Sequence, residues 1–403
     1  MADPAPIPIY EDRETFYIPY FEIKVRGNPM PRNVVRDVID VSYEDSIEKV
    51  DAFTLTVNNW DADTRDFKYV GMETRPKAGS DAARYAAMFE PGTELQLWMG
   101  YRDNLRLMMT GFITTMEPDF PESGAPKLVV RGLNILDRFR QKQYTWSWPE
   151  AGKETTRDSE IALDLARAPD DQGQRPGLGI EVRVDREAMD REPAIPYVLM
   201  NNQYPIVFLM ERARRLGYTI FVGEEIHNGQ PQRYLYFGPT QQLRNVTYQV
   251  AWGRSLVSFR PTLRTTNQVH EVTVCGWDRR TKKAIQETVK LEEAAPNLNP
   301  DLQAVARAAG RKEVVTDLPV QTPEEAKARA RDILLNQIKE MVEGAGATVG
   351  LPDLRAGRMI EIAGCGYRFN GRYFVTETLH TINESGYRTT FKARREDPKG
   401  KTA

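Results

Sequence analysis

The sequence predicts a mainly β chain with α+β parts: two antiparallel β-barrels linked by smaller α+β domains. Two observations carry this. One β-rich stretch occurs twice, once in each half of the chain. Helical periodicity is confined to short segments between and beside the copies. At 403 residues the chain exceeds what one core organises, so several domains are expected.

The first copy, residues 91–132, reads PGTELQLWMGYRDNLRLMMTGFITTMEPDFPESGAPKLVVRG. The second, residues 355–395, reads RAGRMIEIAGCGYRFNGRYFVTETLHTINESGYRTTFKARR. Each opens on proline or a small residue followed by glycine, Gly92 and Gly357. Each continues into an alternating strand, with Leu95, Leu97 and Met99 in one and Ile360 and Ile362 in the other. A polar turn then leads to a glycine and a β-rich run: residues 111–117 from Gly111, and 371–377 from Gly371. A turn containing glycine, Gly386 in the second copy, precedes a last strand. That strand ends at Arg131 with Gly132 behind it, or at Arg394. Twisted hairpins share much of this pattern, so the matching order of elements is what argues for duplication. Gly111 and Gly371 are expected at bulges or at positive φ.

Composition excludes several classes. Lys plus Arg is 55 and Asp plus Glu is 57, so no global field attracts nucleic acid or a membrane surface. No apolar run approaches the roughly 20 residues of a membrane span. The first residues, MADPAPIPIYEDRETF, lack the basic and apolar regions of a secretory signal. The two cysteines, Cys275 and Cys365, supply neither a disulfide framework nor a Cys-based zinc site, and they fit a reducing cytoplasm.

In chain order, residues 1–15 are a Pro-rich arm. The first barrel occupies 16–137. Its early strands alternate at Phe21, Ile23 and Val25, at Ile39, Val41 and Tyr43, and at Phe53, Leu55 and Val57. Residues 61–90 read as a long polar loop with a short helix over 81–88. An α+β domain fills 138–242. It has a helix over 156–168 with Asp158 as N-cap, and a second over 204–216 with Pro205 in its first turn and Gly217 past its end. Two strands follow, over 218–222 and 234–237, separated by a polar turn. A β segment at 243–290 completes this part, and 291–320 reads as a linker. Residues 321–395 hold a capped helix and the second barrel. Thr322, Pro323 and Glu325 form a capping box with proline at the first helical position. The helix is expected to run to about Val342 and to stop at Gly344, burying Ala326, Ala330, Ile333, Leu334, Ile338 and Met341. Residues 396–403 are a basic tail.

The search for chemistry nominates no catalytic, cofactor-binding or metal-ligating residue. His227, His270 and His380 lack ligand spacing. His227 reads as solvated, and the other two as hydrogen-bonded strand residues. Phosphate-cradling and nucleophile-elbow motifs are missing, and Gly344 and Gly346 follow a helix instead of opening one. Glu324 and Glu325 are explained by helix capping, and Glu292 and Glu293 by a solvated loop. Arg279, Arg280, Lys282 and Lys283 read as a polar hairpin turn without a stacking platform for nucleic acid.

Several further stretches complete a pattern in one order: LVVRGLNILDRF, DSEIALDLA, YVLMNNQYPIVFLMERARRLGYTIFV and LYFGP. WGRSLVSFRPTL, around Trp252 and Gly253, and VTVCGWDRRTKK, around Gly276 and Trp277, follow. With the two copies, this order resembles the phage late control gene D proteins, the baseplate hubs of contractile tails and phage-like injection systems. It also resembles the N-terminal hub module of type VI secretion spikes. The resemblance spans nearly the whole chain. One departure is Asn201-Asn202-Gln203-Tyr204-Pro205, where the family more often has an acidic opening to the helix. The resemblance implies two tube-protein-like barrels per chain and a structural role without enzymatic activity or cofactor. It implies a homotrimer that adapts the six-fold tail tube ring to a three-fold central spike, among other baseplate proteins and with no membrane partner. It further implies assembly in the bacterial cytoplasm into a virion or phage-like particle. Because no β-helix repeat follows the second copy, the spike is expected to be a separate chain. The alternatives are a tail-associated cell-wall hydrolase seated near 150–240, or a hub-only type VI secretion spike component.

Overall fold

The computed structural model describes residues 7–8, 18–47, 49–72, 76–77, 79–102, 104–170, 174–227, 230–239, 248–264, 269–279, 281–295, 303–304, 307–308, 310–316, 320–339 and 341–395. The arm at 1–15, except for 7–8, and the tail at 396–403 lie outside the described residues. Strands of four or more residues, and the four longest helices, are numbered below.

Six strands build the first sheet: β1 (Pro19–Val25), β2 (Val38–Ser46), β3 (Ala52–Asn58), β4 (Glu94–Tyr101), β5 (Asn104–Asp119) and β6 (Lys127–Asn134). Their hydrogen-bonded order is β2-β3-β6-β5-β4-β1. Alternation sends Phe53, Leu55, Val57, Leu95, Leu97, Leu128 and Val130 to one buried face, and the sheet curls around it. Helix α1 (Asp81–Met88) follows Ser80, whose hydroxyl accepts from the Ala83 N–H at 3.2 Å.

The next unit contains β7 (Tyr144–Trp148), α2 (Asp158–Asp164), β8 (Glu181–Val184), β9 (Val198–Gln203), α3 (Pro205–Leu216), β10 (Tyr218–His227) and β11 (Gln230–Pro239). α3 opens on Pro205, and Gly217 closes it at φ 66°. α2 is shorter than its periodicity suggests, and Asp158 is not its N-cap. Arg157 takes that position, and its N–H donates to the Glu160 carboxylate at 3.0 Å. The Asp158 carboxylate is instead buried against the Arg212 guanidinium of α3. The expected polar turn between 222 and 234 is continuous hairpin, paired from Tyr218↔Pro239 to His227↔Gln230.

The second barrel is discontinuous in sequence. Its first strands are β12 (Tyr248–Ala251) and β13 (Leu256–Leu263). A separate unit intervenes: β14 (Val269–Asp278), β15 (Lys283–Lys290), β16 (Arg311–Val315) and α4 (Pro323–Lys339), which packs Ala326, Ala330 and Leu334 onto the small sheet. The barrel resumes with β17 (Val342–Val349), β18 (Met359–Ala363), β19 (Gly371–Asn383) and β20 (Gly386–Arg394). So the 243–290 segment is split between two units. The described part of 291–320 includes a strand parallel to β14, where a linker was expected. Gly344 does not stop α4. It lies inside β17, where a Cβ would sit 2.5 Å from the Phe259 ring, and a Cβ at Gly346 would meet Phe391 at the same distance.

The second order is β13-β17-β20-β19-β18-β12, which repeats the first strand for strand. One departure is that β12 runs parallel to β18, whereas β1 runs antiparallel to β4. The register repeats as well. The Gly92 N–H bonds to the Ile113 carbonyl at 2.7 Å, and the Ile113 N–H returns to Thr93 at 3.0 Å. The Gly357 N–H bonds to the Val375 carbonyl at 2.9 Å, and the Val375 N–H returns to Arg358 at 2.8 Å. Both glycines need positive φ, 87° and 83°. One residue later each long strand bulges at a threonine, Thr114 and Thr376. Each hydroxyl reaches the partner-strand carbonyl, Arg131 at 3.4 Å and Lys392 at 3.2 Å. Followed across the sheets, Arg131↔Thr54↔Ser42 matches Lys392↔Ala345↔Arg260. This register makes Tyr373, not Gly371, the counterpart of Gly111.

Gly371 has φ 138°, as expected of it, but Gly111 has neither a positive φ nor the bulge. Its constraint is close approach, because a Cβ there would lie 2.5 Å from the Leu133 carbonyl oxygen. Gly111→Val should therefore destabilise the first barrel by about 3 kcal/mol, the upper end for overpacking. Gly386, at φ 108° with open space around it, should tolerate alanine at about 1 kcal/mol. Urea unfolding of both variants checks the difference.

Candidate functional site at the seam between the barrels

The two barrels share one sheet. β2 of the first pairs antiparallel with β19 of the second, from Val41↔Ile382 to Ser46↔Glu377. The far end of the β19–β20 hairpin contributes Ile382 and Tyr387 to the first core. The Tyr101 hydroxyl crosses in the other direction and donates to the Gly350 carbonyl at 2.9 Å.

The inner face of this seam is polar. The Arg355 Nε donates to Asp45 Oδ2 at 2.7 Å, and its terminal nitrogen donates to the Tyr43 hydroxyl and, at 2.8 Å, to the Met108 carbonyl. The Ala356 N–H and the Thr378 hydroxyl also donate to Asp45. One carboxylate thus collects donors from the loop before β18 and from β19, while Arg355 reaches β2 and β5. Burial works against the Arg355 charge, but Tyr43, Asp45 and Asp51 outweigh it and hold the guanidinium protonated. Burial next to Asp45 pushes the Asp51 carboxyl up, although the Ser46 N–H and the Asn134 amide donate to it at 3.2 and 2.7 Å.

His380 completes the cluster and is fully buried. Its Nε2 faces the Leu354 carbonyl at 3.0 Å, so Nε2 carries the proton. Nδ1 then accepts from the Tyr387 hydroxyl at 3.0 Å, with the Thr389 hydroxyl 3.1 Å away. Burial holds its pKa down at about 4, with Asp45 pulling up and Arg355 down. This is a neutral structural histidine. His270, on β14, is also hydrogen-bonded, to the Arg311 carbonyl at 3.0 Å. Further along β5, the Thr110 N–H and hydroxyl hold the buried Glu224 carboxylate of β10 at 2.9 and 3.1 Å, tying the α+β unit to the first barrel.

The residues nominated by the sequence are scattered around this seam. Gly92, Gly357, Gly371 and Gly386 shape turns of the two barrels. In Gly132 a Cβ would strike the Phe53 ring at 2.2 Å, so this glycine permits close strand packing. Trp252 and Gly253 form the turn after β12, with Trp252 64% exposed. Gly276 and Trp277 lie on β14 of the small sheet, where Val320 leaves no room for a Cβ at Gly276 and Trp277 is 53% exposed. The Thr322 hydroxyl caps α4 by accepting the Glu325 N–H at 3.2 Å, but the Glu325 carboxylate reaches back to the Gln321 N–H, at 3.0 Å, one residue before the cap. Sequence reasoning missed the Arg355–Asp45 pair, whose partners lie 310 residues apart.

A groove of about 550 Å³ runs along the outer face of the shared sheet, lined by Glu44, Arg260, Glu377, Arg388 and Lys392 among others. Among the described residues, no group of His, Cys, Asp or Glu side chains is placed to hold a metal ion.

Solved structures share this architecture. A 43 kDa tail protein of prophage MuSo2 from Shewanella oneidensis matches at TM-score 0.63 and 13% identity, over 94% of this chain and 99% of that one. The chain has the fold of phage tail proteins. A tail protein from Neisseria meningitidis matches at 0.60 and 13%, over 94% and 97%. An Escherichia coli component of the type VI secretion system, described as similar in structure to bacteriophage T4 tail proteins, matches at 0.53 and 11%, over 94% and 78%. No curated protein matches by sequence. A family model described as the Alg8 N-terminal domain matches residues 208–384. That span is under half of the chain, begins inside α3 and ends just past β19, so it corresponds to no unit of this fold.

Two outcomes test the seam. Arg355→Met strands the buried Asp45 carboxylate and should cost about 3–5 kcal/mol, the range for breaking one side of a buried pair. Faster amide exchange in both β2 and β19 would locate the loss at the seam. For His380 the folded pKa lies below the ordinary 6.5. Its contribution is therefore present above pH 6.5 and is lost as pH falls toward 4, about 3 kcal/mol in all. Because the raised Asp51 titrates with the opposite sign, the His380 contribution is read as a difference: the gap between the urea midpoints of the wild type and His380→Gln should shrink as pH falls from 6.5 to 4.

Proposed function

We propose that this chain is a structural hub of the late control gene D kind, at the centre of a contractile tail or injection-system baseplate. The observation that carries the reading is the register-level repeat of one barrel within one chain. Three such chains present six similar barrels. A closed ring of three can then meet a six-fold tube ring on one face and a three-fold spike on the other. The likeness to phage tail and type VI secretion proteins supports the same reading.

The role asked of the chain is mechanical. At the seam Arg355 is paired with Asp45, and in the groove Lys392 is paired with Glu377 at 2.8 Å, contacts that hold strands in place.

The test is a symmetry measurement. In a three-fold average of the intact particle, this chain should occupy one ring containing six barrel-sized densities beneath the tube. Particles showing a single copy, or six separate copies, at that level would remove the reading. Mass photometry of the purified chain, alone and with its tube protein, should show a species of three chains.

A further inference from the structure

Each strand edge at the seam has a counterpart in the repeat. The counterpart of β2 is β13. The counterpart of residues 377–382 of β19 is residues 115–120, at the end of β5. At the seam the two edges are paired with each other. Their counterparts are not. Among the described residues, β13 pairs along its length only with β17, and beyond Ile113 β5 pairs only with β6.

We propose that β13 of one copy pairs antiparallel with residues 115–120 of a second copy of this chain, in the register of the seam. The partner is a second copy because the hub reading requires a ring, and the inference rests on that reading. Carrying over the seam's register sets Leu263 opposite Met116, Thr262 opposite Glu117, Pro261 opposite Pro118, Arg260 opposite Asp119, and Phe259 opposite Phe120.

The backbone directions agree. The Arg264 N–H bonds to Met341 at 2.9 Å, so Arg260, Thr262 and Arg264 turn their peptide groups toward β17. Phe259, Pro261 and Leu263 turn theirs outward. At the seam the Ile47 N–H bonds to the Thr376 carbonyl at 3.1 Å, and the same parity on β5 turns Met116, Pro118 and Phe120 outward. Both prolines therefore sit where a free edge carries them without losing a bond to its own sheet. Opposite each other, they confine the missing ladder bonds to one position, and the flanking pairs keep theirs.

The side chains agree on both faces. Met116, Pro118 and Phe120 meet Leu263, Pro261 and Phe259, an apolar row continuous with the barrel cores, and Phe120 is 55% exposed in the single chain. On the other face Asp119 falls opposite Arg260, both exposed, and Glu117, which pairs with Arg131 at 3.1 Å, and Arg264, which pairs with Glu343 at 3.2 Å, flank that pair on the same exposed face. The contact is head to tail. Seams within chains and these contacts between chains alternate, and three chains close with six junctions.

The test uses the full chain with Cys275→Ser and Cys365→Ser. Glu117→Cys with Thr262→Cys places the new thiols at a non-hydrogen-bonded pair, where Cα atoms lie about 4.5 Å apart, within disulfide reach. Mild oxidation should link chains into a covalent trimer. The yield should exceed by about tenfold that of Glu117→Cys with Arg260→Cys, a register two residues out. Mass photometry of the unoxidised chains is run beside it. Trimers without the 117–262 link would overturn the strand pairing and leave the hub reading standing. The link in open chains longer than three would support the pairing and overturn the trimer. Neither trimer nor link, in solution or in particles, would overturn both.

Discussion

The structure depends on one buried ion pair, Arg355 with Asp45. It ties the two barrels together beside the β2–β19 ladder, the Tyr101–Gly350 hydrogen bond and the insertion of Ile382 and Tyr387 into the first core. The β2–β19 ladder alone would join two sheets edge to edge and leave them free to twist against each other. Arg355 removes that freedom because its fork reaches a carboxylate and a hydroxyl on β2 and a carbonyl on β5 from the loop that leads into β18. A buried charge pair is costly to desolvate and gives little net stability over apolar packing. What it supplies is orientation, since only one placement of the two barrels satisfies Asp45, Thr378, Ala356 and Arg355 together. For a part whose role is geometric, orientation matters more than added stability.

The repeat explains where the chain has departed from symmetry. The barrels share strand order, the threonine bulge of the long strand and the glycine turn that precedes the fourth strand. They differ where their surroundings differ. In the second barrel the connection between the second and third strands is expanded into β14–β16 and α4. In the first, the long connection falls between the third and fourth strands and carries α1. Both expansions leave the strand ladder intact, as insertions at surface connections do.

Much of the fold was legible in local sequence. The duplicated stretch, both ends of α3, the start of α4 and the short α1 announce themselves through alternation, capping residues and glycine position, whereas the end of α4 does not, since Gly344 belongs to β17. The alignment of Gly111 on Gly371 misled because the β4–β5 hairpin is longer than β18–β19. Their first strands have eight and five residues, so equal-looking glycines fall at different rungs. Arg311–Val315 was invisible because five residues show no sustained period. Asp158 looked like a cap because its competing partner, Arg212, lies in another helix. The seam left no local mark at all. A pair 310 residues apart is a property of the folded sheet, and no window on the sequence contains it.

The two kinds of junction also differ in chemistry, and the difference follows from how each must form. The seam joins parts of one chain. Its edges meet during folding at high effective concentration, so it can carry a polar network that demands exact partners. In the proposed ring the edges of β13 and of β5 beyond Ile113 come from separate chains and meet only at assembly. There the seam's Tyr43 and His380 positions hold Pro261 and Pro118, and Asp45 and Thr378 give way to Leu263 and Met116. The counterpart of Arg355, read back from Gly357 to Gly92, is the exposed Glu90. Proline blunts a free edge against indiscriminate strand addition, and an apolar row needs no unsatisfied charge while it waits for its partner. A repeat that began with identical edges would have paired with itself without limit. Proline and apolar residues at one junction, and a buried ion pair at the other, would let the same barrel close once within the chain and, in the proposed ring, again between chains.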